Sequence, residues 1–154
     1  MGNFVQASHV FLNTPAATRQ EALEFLSAKA VEVGLANDAA AVLDAFVARE
    51  ALESTGMLEG FAIPHAKSEA ITDAAVFIAK FAAPIDDWKT MDGSSVQVAI
   101  ALLVPDGEAG TTHLQLLSKT AVLLMDAEFR TFVTGSEDAE AIAERVNAGL
   151  TDAN

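Results

Sequence analysis

Apolar residues recur along this chain at two spacings, and the alternation between them lays out the elements. Val10-Phe11-Leu12 is a short unbroken apolar run ended by Asn13, which predicts an early strand. Leu23, Leu26, Ala30 and Val33 then repeat at helical spacing. Thr14-Pro15 offers this helix an N-cap followed by a proline at the first helical position, and Gly34 stands where a helix closes in a left-handed turn. A second helix is predicted from Asn37, with Val42, Leu43, Phe46 and Val47 on one side, Arg49, Glu50 and Glu53 toward its end, and Thr55-Gly56 stopping it. Ala74–Phe81 and Val96–Val104 are β-rich runs. The second is apolar at nearly every position, as expected of a strand covered on both faces. Pro84–Gly93 between them reads as a connection closed by the Asp92-Gly93 turn. Leu114, Leu117, Ala121 and Leu124 mark a third helix from Thr111-Thr112, and Asp126 caps a short fourth. Ser136 is expected to cap the last helix, with Glu137 and Asp138 in its first turn, Arg145 near its end and Gly149 beyond it.

Strands alternating with helices, one of them apolar on both faces, predict an α/β fold: a three-layer sandwich in which a mixed β-sheet of about five strands carries helices on both faces. No repeat, low-complexity segment or Pro/Gly/Ser linker divides the chain, so residues 1–154 are expected to form a single domain.

Composition narrows the chemistry. Of 154 residues, 51% are hydrophobic, enough for a core without staples, and there is no cysteine, which excludes disulfides, thiolate nucleophiles and thiolate metal sites. Nine Lys and Arg against 22 Asp and Glu give a net charge of −13. Nucleic acid and anionic lipid are disfavoured as partners by that surface, whereas a basic protein face would be steered toward it. The N-terminus lacks a basic region followed by an apolar stretch, and Val98–Val104 is far shorter than the ~20 residues that span a bilayer, so a soluble, cytoplasmic protein is expected.

Three residues stand out as candidate chemistry. His65 ends the segment Gly60-Phe61-Ala62-Ile63-Pro64-His65, where Pro64 fixes its own φ and pushes Ile63 to extended geometry. A stiffly presented imidazole suits a reacting group, while a histidine merely ending a strand is the plainer reading. His113 lies in the first turn of the third helix, where free N–H groups attract anions and the positive helix end keeps an imidazole neutral; a surface histidine at a helix start reads equally well. Arg49 either pairs with Glu53 at i+4 or offers a planar donor fork to a phosphoryl group. Lys67 is most simply a solvated lysine. Glu50, Glu53, Glu59 and Glu69 read as solvated charge. His65 and His113 stand too far apart, without an HxH or HExxH pair, to favour zinc, and no metal or cofactor is expected. No GxSxG, P-loop or GxGxxG occurs.

Arg49-Glu50, Thr55-Gly56, Gly60, Ala62-Ile63-Pro64-His65 and His113-Leu114-Gln115-Leu116-Leu117-Ser118 together resemble the fructose–mannitol class of enzyme IIA, the cytoplasmic component of the bacterial sugar phosphotransferase system. Pro84-Ile85-Asp86, Trp88, Asp92-Gly93 and the Val96–Pro105 strand share the likeness, which covers roughly residues 4 to 149. The resemblance implies that His65 takes a phosphoryl group as tele-phosphohistidine from the histidine-containing phosphocarrier protein and passes it to a cysteine of enzyme IIB, and through it to the membrane permease enzyme IIC. It implies that His113 stabilises the phosphoryl group and Arg49 binds it. The Pro84-Ile85-Asp86 and Trp88 segment leans toward sugar transport of the fructose type; the nitrogen-related branch, which signals by binding proteins, is the alternative. One departure is visible. Where the class often shows Thr-Gly-x-Gly-x-Gly, Leu58 replaces a glycine, implying a less open loop with an added apolar contact.

Overall fold

The strand at the centre of the sheet explains the nearly continuous apolar run Val96–Val104. In the computed structural model, which describes residues 4–108 and 111–151 apart from the side chains of 108, 111–113 and 151, it runs as Ser95–Pro105. Counting in chain order, the strands are β1 (Val10–Thr14), β2 (Gly56–Leu58), β3 (Phe61–Ala62), β4 (His65–Ser68), β5 (Ala75–Lys89) and β6 (Ser95–Pro105). The helices are α1 (Arg19–Glu32), α2 (Ala39–Leu52), α3 (Thr111–Leu124), α4 (Ala127–Gly135) and α5 (Ala139–Thr151).

The sheet order is β1-β5-β6-β3-β2, with β4 also on β6. β1 runs parallel to β5, β5 and β6 form an antiparallel hairpin, and β3 and β4 run parallel to β6. Side chains alternate faces along β6. Ala99, Ala101 and Leu103 enter a core with Leu23 and Leu26 of α1 and Val42 and Phe46 of α2. Val98, Ile100, Leu102 and Val104 enter a second core with Leu116 and Leu124 of α3, Phe129 and Val133 of α4, and Ile142 and Val146 of α5. The three-layer sandwich is therefore as expected, with six strands among the described residues rather than five.

Four local expectations are corrected. Thr14 is not an N-cap: it is the buried last residue of β1, and its Oγ1 donates to the Phe11 carbonyl at 3.0 Å. The N-cap is Thr18, whose hydroxyl accepts from Glu21 N–H at 3.1 Å while the Glu21 carboxylate accepts from Ala17 N–H at 2.8 Å. Pro84 does not begin a connection. β5 continues through it to Lys89 with irregular register on either side of Ile85, and Pro84 lies beyond the last β1 pairing at Phe81, where its missing N–H breaks no ladder. The start of α5 is held by Asp138, whose carboxylate accepts from the Glu140 and Ala141 amides, while Ser136 accepts from Asp138 N–H. Gly149 lies inside α5 rather than beyond it; a Cβ there would fall 2.3 Å from Leu123 Cδ2, so the glycine lets α3 and α5 approach.

Candidate functional site

β2 and β3 form a hairpin whose two-residue loop is Glu59-Gly60, flanked by the Leu58–Phe61 pair. Both loop residues have positive φ, 52° and 82°, which is the type I′ geometry that matches strand twist. The segment carrying Leu58 is thus a strand end and not an open loop, and Leu58 is half-buried against the α3–α5 core. Beyond β3 the register on β6 does not change: Phe61 pairs with Val98 and His65 with Leu102. β3 and β4 are one extended path interrupted at Ile63-Pro64, where the proline has no N–H to give the ladder but its carbonyl still accepts from Leu102 N–H at 2.9 Å. The stiff lead-in to His65 is therefore anchored on the central strand.

His65 is 6% exposed, and two bonds define its ring. Nδ1 lies 2.8 Å from the Ile63 carbonyl oxygen and Arg49 Nε donates to Nε2 at 2.9 Å. A carbonyl can only accept and a guanidinium can only donate, so together they specify the neutral tautomer with the proton on Nδ1 and a lone pair on Nε2. Arg49 reaches this position from the last turn of α2. Its Nη1 donates to the Glu53 carbonyl at 2.7 Å, so the arginine is tied to the helix's C-terminal end and not to the Glu53 carboxylate. One edge of the fork is anchored and Nε–H is aimed at the ring nitrogen that carries a lone pair.

Glu50 corrects the expectation of solvated charge most sharply. It is 5% exposed and its carboxylate accepts both the N–H (3.2 Å) and the hydroxyl of Thr55, at the turn between α2 and β2. Sequence gave no sign of this beyond the adjacency of Glu50 to Arg49 and the five-residue step to Thr55. Lys67 is exposed on β4, two positions beyond His65. His113 lies, as expected, in the first turn of α3, which follows β6 through a 3-10 turn at Asp106–Glu108; its side chain is outside the described residues. The third histidine, His9, packs in the core with its ring 5.2 Å from Phe77, and burial lowers its pKa.

Asp92 locks the β2–β3 hairpin to the β5–β6 turn. Its carboxylate accepts from the Thr90 hydroxyl, from Glu59 N–H at 3.1 Å, and from the Ser94 hydroxyl at 2.9 Å and N–H at 3.2 Å. These bonds, the Thr90 one first, hold its pKa well below the usual carboxylate range. A carboxyl depressed in the folded state stabilises above its unfolded pKa of about 3.9 and loses that contribution as pH falls toward the folded value. Asp92→Asn is therefore expected to lower the urea midpoint at pH 7, with the difference beginning to shrink below about pH 4 and shrinking further as pH falls toward the folded value. Equal midpoints at pH 7 would refute the lock.

A cleft of about 470 Å³ lined by Glu59, Phe61, Gln97, Arg130 and Thr134 lies back along β3 and β6 and does not include His65 or Arg49. Among the described residues no helix is long and apolar enough to cross a membrane, and no group of three or more His, Asp or Glu is placed to hold a metal ion.

A sequence profile of the family described as phosphoenolpyruvate-dependent sugar phosphotransferase system, EIIA 2, matches residues 3–148. The fructose-specific EIIA component of Haloferax volcanii is 35% identical over 135 residues, 88% of this chain and 86% of that protein. A nitrogen regulatory protein of Bradyrhizobium diazoefficiens is 37% identical over 125 residues, 81% of this chain and 80% of that one. The likeness to the 2-O-alpha-mannosyl-D-glycerate-specific EIIABC component of Escherichia coli, 35% over 120 residues, takes in 77% of this chain but 18% of that longer protein. Among solved structures, the nitrogen regulatory protein IIA-Ntr of Neisseria meningitidis aligns with a TM-score of 0.81 at 29% identity, covering 97% of this chain and 98% of that one. The E. coli IIAMtl structure, solved in complex with phosphorylated enzyme IIBMtl, shares the fold with a TM-score of 0.73 at 23% identity, covering 94% and 97%. A mixed sheet that presents one histidine from a proline-broken strand against an arginine, together with a profile match over nearly the whole chain, places this protein in the EIIA 2 family of the phosphoenolpyruvate-dependent sugar phosphotransferase system, a family of phosphotransferases.

Proposed function

We propose that the chain is a cytoplasmic phosphocarrier in which His65 Nε2 accepts a phosphoryl group from the histidine-containing phosphocarrier protein and passes it to a cysteine of enzyme IIB, and through it to the permease enzyme IIC, serving sugar uptake of the fructose or mannitol type. The observation that carries this reading is the pair of bonds on the His65 ring, which leaves the lone pair on Nε2 with an arginine N–H directed at it.

The step balances without an outside reagent. The Nε2 lone pair forms the new P–N bond while the donor ring's nitrogen keeps the electron pair of the P–N bond that breaks. His65 retains its Nδ1 proton, and the positive charge left on the ring faces the Ile63 carbonyl oxygen. Phosphoryl transfer spreads charge over the equatorial oxygens, so the protein's task is positioning and charge stabilisation. Arg49 Nε–H covers the lone pair in the resting site; as phosphorus arrives it slides onto a phosphoryl oxygen while Nη1 keeps its hold on Glu53. His113, from the first turn of α3, is the second donor in this proposal.

The test is the identity of the phosphorylated atom. Chain labelled by the phosphorylated carrier protein is expected to give the phosphorus–nitrogen coupling of a ring phosphorylated at Nε2 of His65. Phosphorus on Nδ1, or on another residue, would overturn the assignment. The nitrogen-regulatory reading shares the same phosphorylation and is favoured by the likeness to nitrogen regulatory proteins. Transfer onward to an enzyme IIB cysteine separates the two.

A further inference from the structure

We infer that Glu50 is a positioning residue that sets the tautomer of His65 through a chain of hydrogen bonds. This rests on His65 being the phosphoryl acceptor only for its consequence in transfer, not for its geometry. The chain begins at a buried carboxylate. Both of its oxygens are used on one residue, Oε1 accepting Thr55 N–H and Oε2 accepting the Thr55 hydroxyl. Thr55 is itself buried. Its carbonyl accepts from Ile63 N–H at 3.0 Å, one step past the Gly56–Ala62 pairing of β2 with β3. The Ile63 carbonyl in turn accepts the His65 Nδ1 proton at 2.8 Å.

Each link constrains the next. Thr55 lies between the end of α2 and β2, where neither element dictates its backbone, and Glu50 fixes it from both its N–H and its hydroxyl. Ile63 stands at the break between β3 and β4, where Pro64 removes a ladder hydrogen bond; the Thr55 carbonyl replaces that restraint. With Ile63 held, its carbonyl oxygen faces Nδ1 and requires a proton there, which leaves the lone pair on Nε2. Without that acceptor in place, only the Arg49 N–H opposes a proton on Nε2, and the Nε2–H form has no lone pair at Nε2 to attack phosphorus. Hydrogen-bonded chains in a buried setting also strengthen one another. Arg49 and Glu50 are neighbours on α2, so one helix end governs both ring nitrogens of the same histidine, one directly and one through Thr55 and Ile63.

The test reads the tautomer without any phosphoryl donor. In the full chain, nitrogen shifts of the His65 ring are expected to show the Nδ1–H form in the unmodified protein. Glu50→Leu, which keeps the volume and removes both acceptors, is expected to shift population toward the Nε2–H form. It should also slow phosphoryl acceptance about 10- to 100-fold, by analogy with the loss when partners that orient metal-ligating histidines are removed. Glu50→Gln, which can still accept Thr55 N–H and donate to its hydroxyl, should restore both readouts. Should the leucine variant fail to fold, Thr55→Val replaces it, with a smaller shift in the same direction. A folded Glu50→Leu or Thr55→Val protein with an unchanged His65 tautomer overturns the inference. A shifted tautomer in a chain whose unmodified form takes no phosphoryl group would support Glu50's role and strike the proposed function instead.

Discussion

Replacing His65 by alanine is expected to abolish phosphoryl acceptance outright, while Arg49→Ala should leave a slow residue of it. The two differ in kind. His65 Nε2 supplies the electron pair that forms the P–N bond, and in this proposal no other group on the chain replaces it. Arg49 supplies one oriented donor to charge that develops in transfer, and removing one such donor costs on the order of 10²–10³ in rate. Arg49→Lys should fall between, because an ammonium on a flexible stem cannot hold the Glu53 carbonyl and face Nε2 with one planar group. His65→Ala also leaves the Ile63 carbonyl without its ring partner, a loss of about 1–3 kcal/mol for a buried polar group, which a domain of this size should survive folded. The check is labelling by phosphorylated carrier protein, with circular dichroism to show that each variant is folded. Ordinary labelling of folded His65→Ala would end the phosphocarrier reading. Because the regulatory alternative predicts the same loss, this experiment tests the chemistry and leaves the physiological role to the onward transfer.

Much of the layered architecture was legible because it rests on periodicity. The nearly unbroken apolar run at Val96–Val104 announced a strand covered on both faces, and β6 feeds alternate side chains into the two cores. The misplacements came where two local signals competed. Thr14-Pro15 carried the features of a helix start, but Thr18-Arg19-Gln20-Glu21 carried them as well, with a glutamate three residues after the threonine; the buried β1 pairing of Thr14 with Phe81 decided between them. Pro84 suggested a break because a proline removes a ladder bond, yet past Phe81 no β1 partner is there to lose one. The strands β2, β3 and β4 are two to four residues long, too short to show a period.

The site divides along the same line. Pro64-His65 and Arg49 were visible as residue types in a suggestive order, and the structure brings the two within hydrogen-bond distance. Glu50 was not visible. A glutamate in a helix of an acidic protein is ordinarily solvated, and nothing local distinguishes one whose helix end is folded over by the turn that follows. Its burial depends on where Thr55 is carried by the β2–β3 hairpin, a contact made by topology.

Gly56→Ala is expected to be the most damaging small substitution in this neighbourhood. A Cβ at Gly56 would stand 2.2 Å from the Lys89 carbonyl oxygen and 2.8 Å from Thr90 Cα, both main-chain atoms that no side-chain rotation can clear. The strands must separate. The adjacent bonds that bind β2 to the end of β5, Met91 N–H to the Met57 carbonyl at 3.1 Å and the Ser54 hydroxyl to the Lys89 carbonyl at 3.4 Å, stretch with them. Overpacking of a side chain costs about 1–3 kcal/mol, and a clash against main chain should reach the upper end of that range or pass it. Gly135→Ala provides the contrast, since nothing lies within 4 Å of a Cβ there and the last position of α4 accepts alanine. That variant should be neutral or more stable by about 0.4–1 kcal/mol through a less flexible unfolded chain. Denaturant unfolding of the pair gives the comparison directly, and equal stabilities would show that β2 does not lie against Lys89. Transfer should respond too. Gly56 is joined to Thr55, and a strand pushed off β5 moves the carbonyl that holds Ile63, so Gly56→Ala should lose phosphoryl acceptance under conditions where it is still folded. A folded Gly56→Ala protein with full acceptance would separate the hairpin's placement from the histidine's chemistry.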